Sequence, residues 1–224
     1  LDVDLTTITK IEEQKVGLTG VIIDTEPIRY YPYKDLATHV LGYVGEINAK
    51  ELEKKKQEGK DYQIGDIIGK MGIEQCLDEE LKGVRGGKRV EVDVKGNLIS
   101  TQGEVIPTPG NQVKLTIDLK VQQAAENGLV EIMDTISRQY PNAKTGAVVA
   151  MDVNTGEILA LASKPGFDLN LFAGRMTPEQ LNEINNNPLK PYNNRAISSA
   201  YPPGSTFKPI TALAGLRKGT VTPN

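Results

Sequence analysis

Residues 201–209 have the sequence Tyr-Pro-Pro-Gly-Ser-Thr-Phe-Lys-Pro, which predicts a turn followed at once by the start of a helix. The prolines and Gly204 interrupt regular structure, and from Ser205 onward the residue types favour a helix. Pro209 is compatible with that helix because it falls near the first turn. At about 100° per residue, Ser205 and Lys208 lie on the same side of the helix. The apolar residues Phe207, Ile210 and Ala214 gather on the other side, so we expect the helix to be buried inside a domain.

Ser205 and Lys208 are the candidate catalytic residues. A serine hydroxyl is a poor nucleophile unless a base lies beside it, and a lysine three residues further on reaches its oxygen. The lysine has to be uncharged to accept a proton, and burial and the positive end of the helix both favour the uncharged form. The backbone N–H of Ser205 can also help to hold an oxyanion. The four-residue pattern alone fits a capping serine followed by a surface lysine better than a catalytic pair, so its neighbourhood has to decide.

Composition narrows the function classes. The 224 residues have a formal net charge of −3, which gives no basic field for nucleic acid, and we expect no nucleic-acid partner. Cys76 is the single cysteine, which excludes an internal disulfide and a cysteine zinc cage, and we expect it to be a small buried hydrophobe. His39 is the single histidine and is expected to be structural. We therefore expect no metal and no cofactor.

The sequence of the first half predicts short strands, turns and two helices. Alternating residues predict strands at 20–24 and 89–94, and helices are predicted at 49–57 and 71–81. Residues 101–110 contain two prolines and two glycines and are the candidate linker.

The second half has a different pattern. We predict a strand at 113–117, an N-cap at Asp118 and a long amphipathic helix over 119–138. Strands at 145–150 and 157–162 are joined by turn residues and predict a hairpin. The sequence Thr-Pro-Glu-Gln at 177–180 is a capping box that predicts another helix.

Long segments in a fixed order carry a family resemblance. Residues 194–209 resemble the nucleophile segment of class B penicillin-binding proteins, especially the elongation-type, penicillin-binding protein 2-like members. Residues 146–163 resemble the first hairpin of their transpeptidase domain. Residues 29–33, 39–45 and 69–74 resemble their non-catalytic pedestal module. These segments together are far more specific than the Ser-x-x-Lys pattern.

The resemblance implies an α+β chain. Residues 1–110 would be a strand-rich pedestal or dimerisation-type module, and residues 111–224 the N-terminal part of a serine β-lactamase-like transpeptidase domain. The implied reaction is peptidoglycan cross-linking: Ser205 attacks the D-Ala-D-Ala bond of a stem peptide, and an amine of a second stem peptide takes the acyl group. β-Lactams would acylate the same serine. The implied partner of the pedestal is a membrane glycan polymerase of the shape, elongation, division and sporulation (SEDS) type.

Two family motifs are missing after the nucleophile. The family site needs a later Ser-x-Asn and a later Lys-Thr-Gly, and neither follows Lys208. A Lys-Thr-Gly does occur at 144–146, but it precedes the nucleophile and is not expected to be catalytic. We therefore expect little or no transpeptidase activity from the 224 residues alone. The chain begins with Leu1 and has no apolar run that could span a bilayer, so we expect a piece of a longer protein. That protein would be anchored on the outer face of the cell membrane by an N-terminal helix absent here.

Two other functions stay open at the level of sequence. Class D β-lactamases and β-lactam sensor domains also carry Ser-Thr-Phe-Lys, although they lack the long N-terminal module. Alternatively, the chain acts as a non-catalytic interaction scaffold for the membrane glycan polymerase, because residues 1–110 contain no cluster of titratable groups typical of catalysis.

Overall fold

The computed structural model describes residues 3–14, 18, 21, 23, 28–92, 94, 98–174 and 176–222. The chain mixes helices with antiparallel two-stranded sheets, which confirms the α+β prediction. The helices and strands of the first half are α1 Leu5–Glu13, α2 Thr38–Leu41, β1 Val44–Glu46, α3 Ala49–Gln57, β2 Ile67–Gly69, α4 Gly72–Cys76, α5 Asp78–Lys82, β3 Gly87–Val92 and β4 Leu98–Val105.

Helix α3 begins where its capping residues dictate. Asn48 accepts a hydrogen bond from the backbone N–H of Glu51, and the Glu51 carboxylate accepts one from the backbone N–H of Asn48. The helix buries Leu52 in a small core, and its predicted bounds are confirmed. That core joins α3 to the β1–β2 sheet and contains Ile47, Leu52, Tyr62 and Ile68.

Several predictions for the first half need correction. The helix predicted at 71–81 is broken at Leu77, which caps α4 and precedes α5 with φ −114° and ψ 29°. The candidate linker is wrong over its first half, because residues 101–105 belong to β4 and pair with β3. Thr108 then bridges Val84, so only the end of that segment is free of ladder pairing. The strand predicted at 89–94 is confirmed over residues 89–92, which lie in β3, whereas the strand predicted at 20–24 falls largely outside the described residues.

The second half is built on one helix and one hairpin. Its elements are α6 Leu119–Ser137, β5 Gly146–Met151, β6 Ile158–Lys164, α7 Asn170–Ala173, α8 Pro178–Asn185, α9 Arg195–Ser198, a 3₁₀ turn at Gly204–Phe207 and α10 Lys208–Lys218. Asp118 caps α6 by accepting hydrogen bonds from the N–H groups of Lys120 and Val121, as predicted. The β5–β6 hairpin and the capping box of α8 are also confirmed.

Helix α6 is fixed to the hairpin by a buried amide. The Gln122 side chain is completely buried, accepts the backbone N–H of Leu161 at 2.8 Å and donates to its carbonyl at 3.2 Å. The side-chain amide thereby pairs with the β6 backbone as one residue of a neighbouring strand would. The strand predicted at 113–117 is wrong, because these residues form no ladder. They run beside β6 instead, where the Thr116 hydroxyl donates to the Ile158 carbonyl at 2.7 Å.

The main hydrophobic core joins the two halves. Tyr31 packs with Phe167, Leu169 and Ile184, and partly buried side chains from both halves surround them. Asn170 reinforces this contact, because its side chain accepts the N–H of Tyr31 and donates to the carbonyl of Tyr31, each at 2.9 Å. The segment that resembles the pedestal module is therefore part of the core on which the second half is built.

Candidate active site

The nucleophile segment turns sharply before it enters a helix. Gly204 has a positive φ of 56°, which favours glycine because other side chains clash there. The carbonyl of Pro203 accepts the N–H of Thr206 at 3.3 Å and its hydroxyl at 2.6 Å. The 3₁₀ turn then leads into α10 with Pro209 in the first turn, as predicted.

Ser205 and Lys208 lie at the two ends of this turn. The backbone N–H of Lys208 donates to the carbonyl of Ser205, so the two residues are one 3₁₀ turn apart. Both side chains are exposed, and within the described part of the chain neither makes a hydrogen bond or an ion pair. The geometry leaves the Ser205 hydroxyl and the Lys208 amino group accessible to a third group that approaches this end of the helix.

The expected burial of this helix is wrong for the chain as it stands. Phe207, Ile210 and Leu213 are 49%, 56% and 65% exposed. Among the described elements, α10 makes its main contacts with the 3₁₀ turn from which it starts, so nothing covers its apolar side.

The Lys-Thr-Gly at 144–146 has a structural role. Gly146 opens β5, and a β-carbon at that position would lie 2.8 Å from Cδ1 of Leu129 in α6. Glycine thus allows the helix to pack closely on the hairpin. Gly146, the last residue of the triplet, therefore belongs to a packing contact between α6 and β5.

The lone histidine is structural, as predicted. His39 is buried, and its Nε2 donates to the carbonyl of Pro191 at 2.6 Å. Its ring makes a T-shaped contact with the ring of Phe167. Burial lowers the pKa of His39, and the nearby Arg195 acts in the same direction. Cys76, in contrast, is exposed, so its expected burial is wrong. It ends the short helix α4, whose buried side chain is Glu74.

A buried charge cluster was missed by sequence reasoning. Lys164, at the end of β6, contacts Glu126 of α6 at 2.7 Å and Asp35 at 3.2 Å. Glu126 also accepts the N–H of Ala37 at 2.7 Å and an amide hydrogen of Gln122 at 2.8 Å. Burial alone would lower the pKa of Lys164, but the hydrogen bond and charge of Glu126 outweigh it and raise the pKa. Residues so far apart in the sequence gave no local signal of this contact.

The described residues provide neither a cluster of metal ligands nor a membrane-spanning helix. They contain no group of three or more His, Cys, Asp or Glu side chains arranged to bind a metal ion. None of their helices combines the length and the hydrophobicity that crossing a bilayer requires.

Comparison with known proteins assigns the family. Residues 1–115 match the Penicillin-binding Protein dimerisation domain, and residues 146–224 match the Penicillin binding protein transpeptidase domain. The chain belongs to the penicillin-binding proteins. The predicted order, a dimerisation domain followed by the start of a transpeptidase domain, is thereby confirmed.

Similar proteins lie in the penicillin-binding protein 2 group. The chain is 40% identical over 222 residues to the peptidoglycan D,D-transpeptidase MrdA of Acinetobacter baumannii, with 99% of this chain and 31% of that protein covered. A structure described as the structural coordination of polymerization and crosslinking by a peptidoglycan synthase complex matches with TM-score 0.78 and 37% identity, covering 99% of this chain and 38% of the other. Helicobacter pylori penicillin-binding protein 2 in complex with MreC matches with TM-score 0.75 and 29% identity over the same shares. The chain thus spans about a third of the length of these penicillin-binding proteins.

Proposed function

We propose that the chain carries the nucleophile segment of a peptidoglycan D,D-transpeptidase, with Ser205 as the nucleophile and Lys208 as its base. The observation that carries the proposal is the single 3₁₀ turn that joins the two residues at the start of α10. Both lie within the residues that match the transpeptidase domain. The relative from Acinetobacter baumannii is named for the same activity.

The proposed reaction has two half-steps. Ser205 Oγ attacks the carbonyl carbon of the terminal D-Ala-D-Ala bond while its proton passes to the uncharged Lys208 amine. The C–N bond then breaks, the proton goes to the leaving nitrogen, and D-alanine departs to give an acyl-enzyme ester. An amine of a second stem peptide attacks the ester carbonyl, forms the cross-linking amide and returns a proton to Ser205. A β-lactam enters the first half-step through its strained amide and acylates the same oxygen.

The site needs residues beyond those described here. A second oxyanion donor and a contact for the substrate carboxylate are required, and loss of one such donor typically costs about 10²–10³-fold in rate. The exposed apolar side of α10 provides a surface that further elements of a transpeptidase domain would cover. The activity is therefore assigned to a longer protein of the relatives' length.

The domain boundary remains part of the proposal. We place a pedestal module at residues 1–110 and the start of the transpeptidase domain at 111–224. The shared core of Tyr31 with Phe167 and Leu169 supports a pedestal that is rigidly attached to the catalytic half. A class D β-lactamase is disfavoured because residues 1–115 match a penicillin-binding protein dimerisation domain.

We also propose that the pedestal binds a SEDS-type membrane glycan polymerase, and that the longer protein is anchored on the outer face of the cell membrane. The support comes from two similar structures: one is described as a peptidoglycan synthase complex, and the other contains MreC. Substitutions on the pedestal surface that abolish stimulation of the polymerase but leave acylation intact would support this partner. Unchanged stimulation would count against it.

The test of the catalytic proposal is the release of D-alanine from a pentapeptide stem by the full-length protein. Ser205→Ala should reduce release to the uncatalysed level, and Lys208→Met should reduce it strongly because the proton acceptor is lost. Ser137→Ala is the matched control, since Ser137 ends α6, its hydroxyl donates only to the carbonyl of Asp134, and its loss should leave release unchanged. Full activity of Ser205→Ala would overturn the assignment.

A further inference from the structure

The segment that leads to the nucleophile is attached to the hairpin through one buried serine. Ser163, in β6, is 5% exposed. Its hydroxyl donates to the carbonyl of Asn193 at 3.1 Å and accepts the backbone N–H of Arg195 at 3.0 Å. The first turn of α9 is therefore held on the hairpin by two hydrogen bonds to a single side chain.

Arg195 is a buried cation that binds carbonyl groups. It is 8% exposed, and its guanidinium donates to the carbonyls of Leu189, Lys190 and Asn193, the latter two at 3.3 Å each. In the described part of the chain it forms no ion pair with a carboxylate. The rigid fork of five N–H groups lets arginine serve several carbonyls at once, which a lysine ammonium on a flexible stem does less well. Arg195 thus holds the loop before α9 in one conformation. That loop includes Lys190, which has a positive φ of 46°.

The Asn193 side chain extends this anchor to the end of α9. Its Oδ1 accepts the hydroxyl of Ser198, and its Nδ2 donates to the hydroxyl of Ser199 at 3.3 Å. From there to the Pro203 carbonyl the chain is unsupported, because no hydrogen bond joins the described residues 200–202 to any other part. The cluster of Ser163, Asn193 and Arg195 is therefore the last fixed point before Ser205.

We infer that Arg195, held by Ser163, is a positioning residue for the Ser205 nucleophile. The inference rests on the proposed function. Pro202 and Pro203 fix φ within the short segment that follows, so a shift at its origin is carried to Ser205 at its end. Acyl transfer depends on near-attack geometry, so a displacement of about 1 Å can cost on the order of 10²-fold in rate. Neither Arg195 nor Ser163 need touch the substrate for this effect.

The experiment separates acylation from binding in the full-length protein. Stopped-flow kinetics with benzylpenicillin give the dissociation constant of the initial complex and the rate constant of acylation, normalised to the fraction of protein that is acylated at completion. Arg195→Met should lower the acylation rate constant by about tenfold or more, with the dissociation constant changed by less than about threefold. Arg195→Lys should restore part of the rate, and Ser163→Ala should lower it independently. The matched control is Arg138→Met, which removes an exposed arginine at the end of α6 and should change neither constant.

The outcomes are distinguishable. If the normalised rate constants of Arg195→Lys and Ser163→Ala equal that of the wild type, the positioning role is overturned, whatever Arg195→Met does to folding. A fall in melting temperature or active fraction alone, with an unchanged rate constant, shows a purely structural role and also overturns it. If the wild type itself is not acylated on Ser205, the proposed function fails first and the positioning role fails with it.

Discussion

The carbonyl of Ser205 accepts the backbone N–H of Lys208, which closes one 3₁₀ turn at the start of α10. This bond fixes the spacing of the candidate nucleophile and base before any substrate is present. Both side chains are exposed, because nothing in the described chain covers this end of the helix. The pair is thus set by local backbone geometry, whereas its surroundings depend on further elements.

The first prediction concerns the 224 residues alone. We expect no stoichiometric labelling by a fluorescent penicillin, because the oxyanion and carboxylate contacts that follow the nucleophile in the family are not among these residues. The measurement is in-gel fluorescence after incubation, with the full-length protein as positive control. One label per chain on Ser205 would contradict the prediction.

The second prediction concerns the buried ion pair of Glu126 and Lys164. Glu126→Leu should lower the free energy of unfolding by about 3 kcal/mol, because it leaves the Lys164 ammonium buried without its main partner. The double variant Glu126→Leu/Lys164→Met removes both charges and should be less destabilised. Urea unfolding of each variant gives the comparison. A double variant less stable than the single one would contradict this account of the cluster.

The third prediction is a pH dependence that originates at His39. Its pKa is lower in the folded chain, chiefly because of burial, so protonation favours the unfolded state. The contribution of neutral His39 to the free energy of unfolding should therefore be fully present above pH 6.5, the ordinary pKa of histidine. It should be lost progressively as the pH falls below that value. His39→Gln keeps a neutral donor toward Pro191 and should flatten this part of the profile. Thermal unfolding between pH 7.5 and 5.5 tests it, and identical slopes for the two proteins would exclude His39 as the cause.

Local signals predicted much of the fold. The capping residues Asn48, Asp118 and Thr177 each start a helix at the predicted position, and the alternating strands around the turn at 152–156 form the predicted hairpin. Such features depend on neighbours in the sequence. The Ser-x-x-Lys turn belongs to the same class, since Gly204 and Pro209 define it locally.

Contacts between distant residues were not predictable in this way. Tyr31 packs on Leu169, and Asp35 forms an ion pair with Lys164, although no feature of the neighbouring sequence predicts either contact. The prolines and glycines of residues 101–110 favoured a linker, yet pairing with β3 draws residues 101–105 into a strand. Tertiary pairing outweighs local propensity there. The attachment of Arg195 to Ser163 likewise appears only when β6 and α9 are brought together.

The most direct test of the central claim is the site of the penicillin adduct in the full-length protein. After reaction with benzylpenicillin, the intact mass should rise by one equivalent, and peptide mapping should place the adduct on Ser205. Ser205→Ala should carry no adduct, whereas Ser137→Ala should be labelled as fully as the wild type. An adduct on any other residue, or undiminished labelling of Ser205→Ala, would contradict the account.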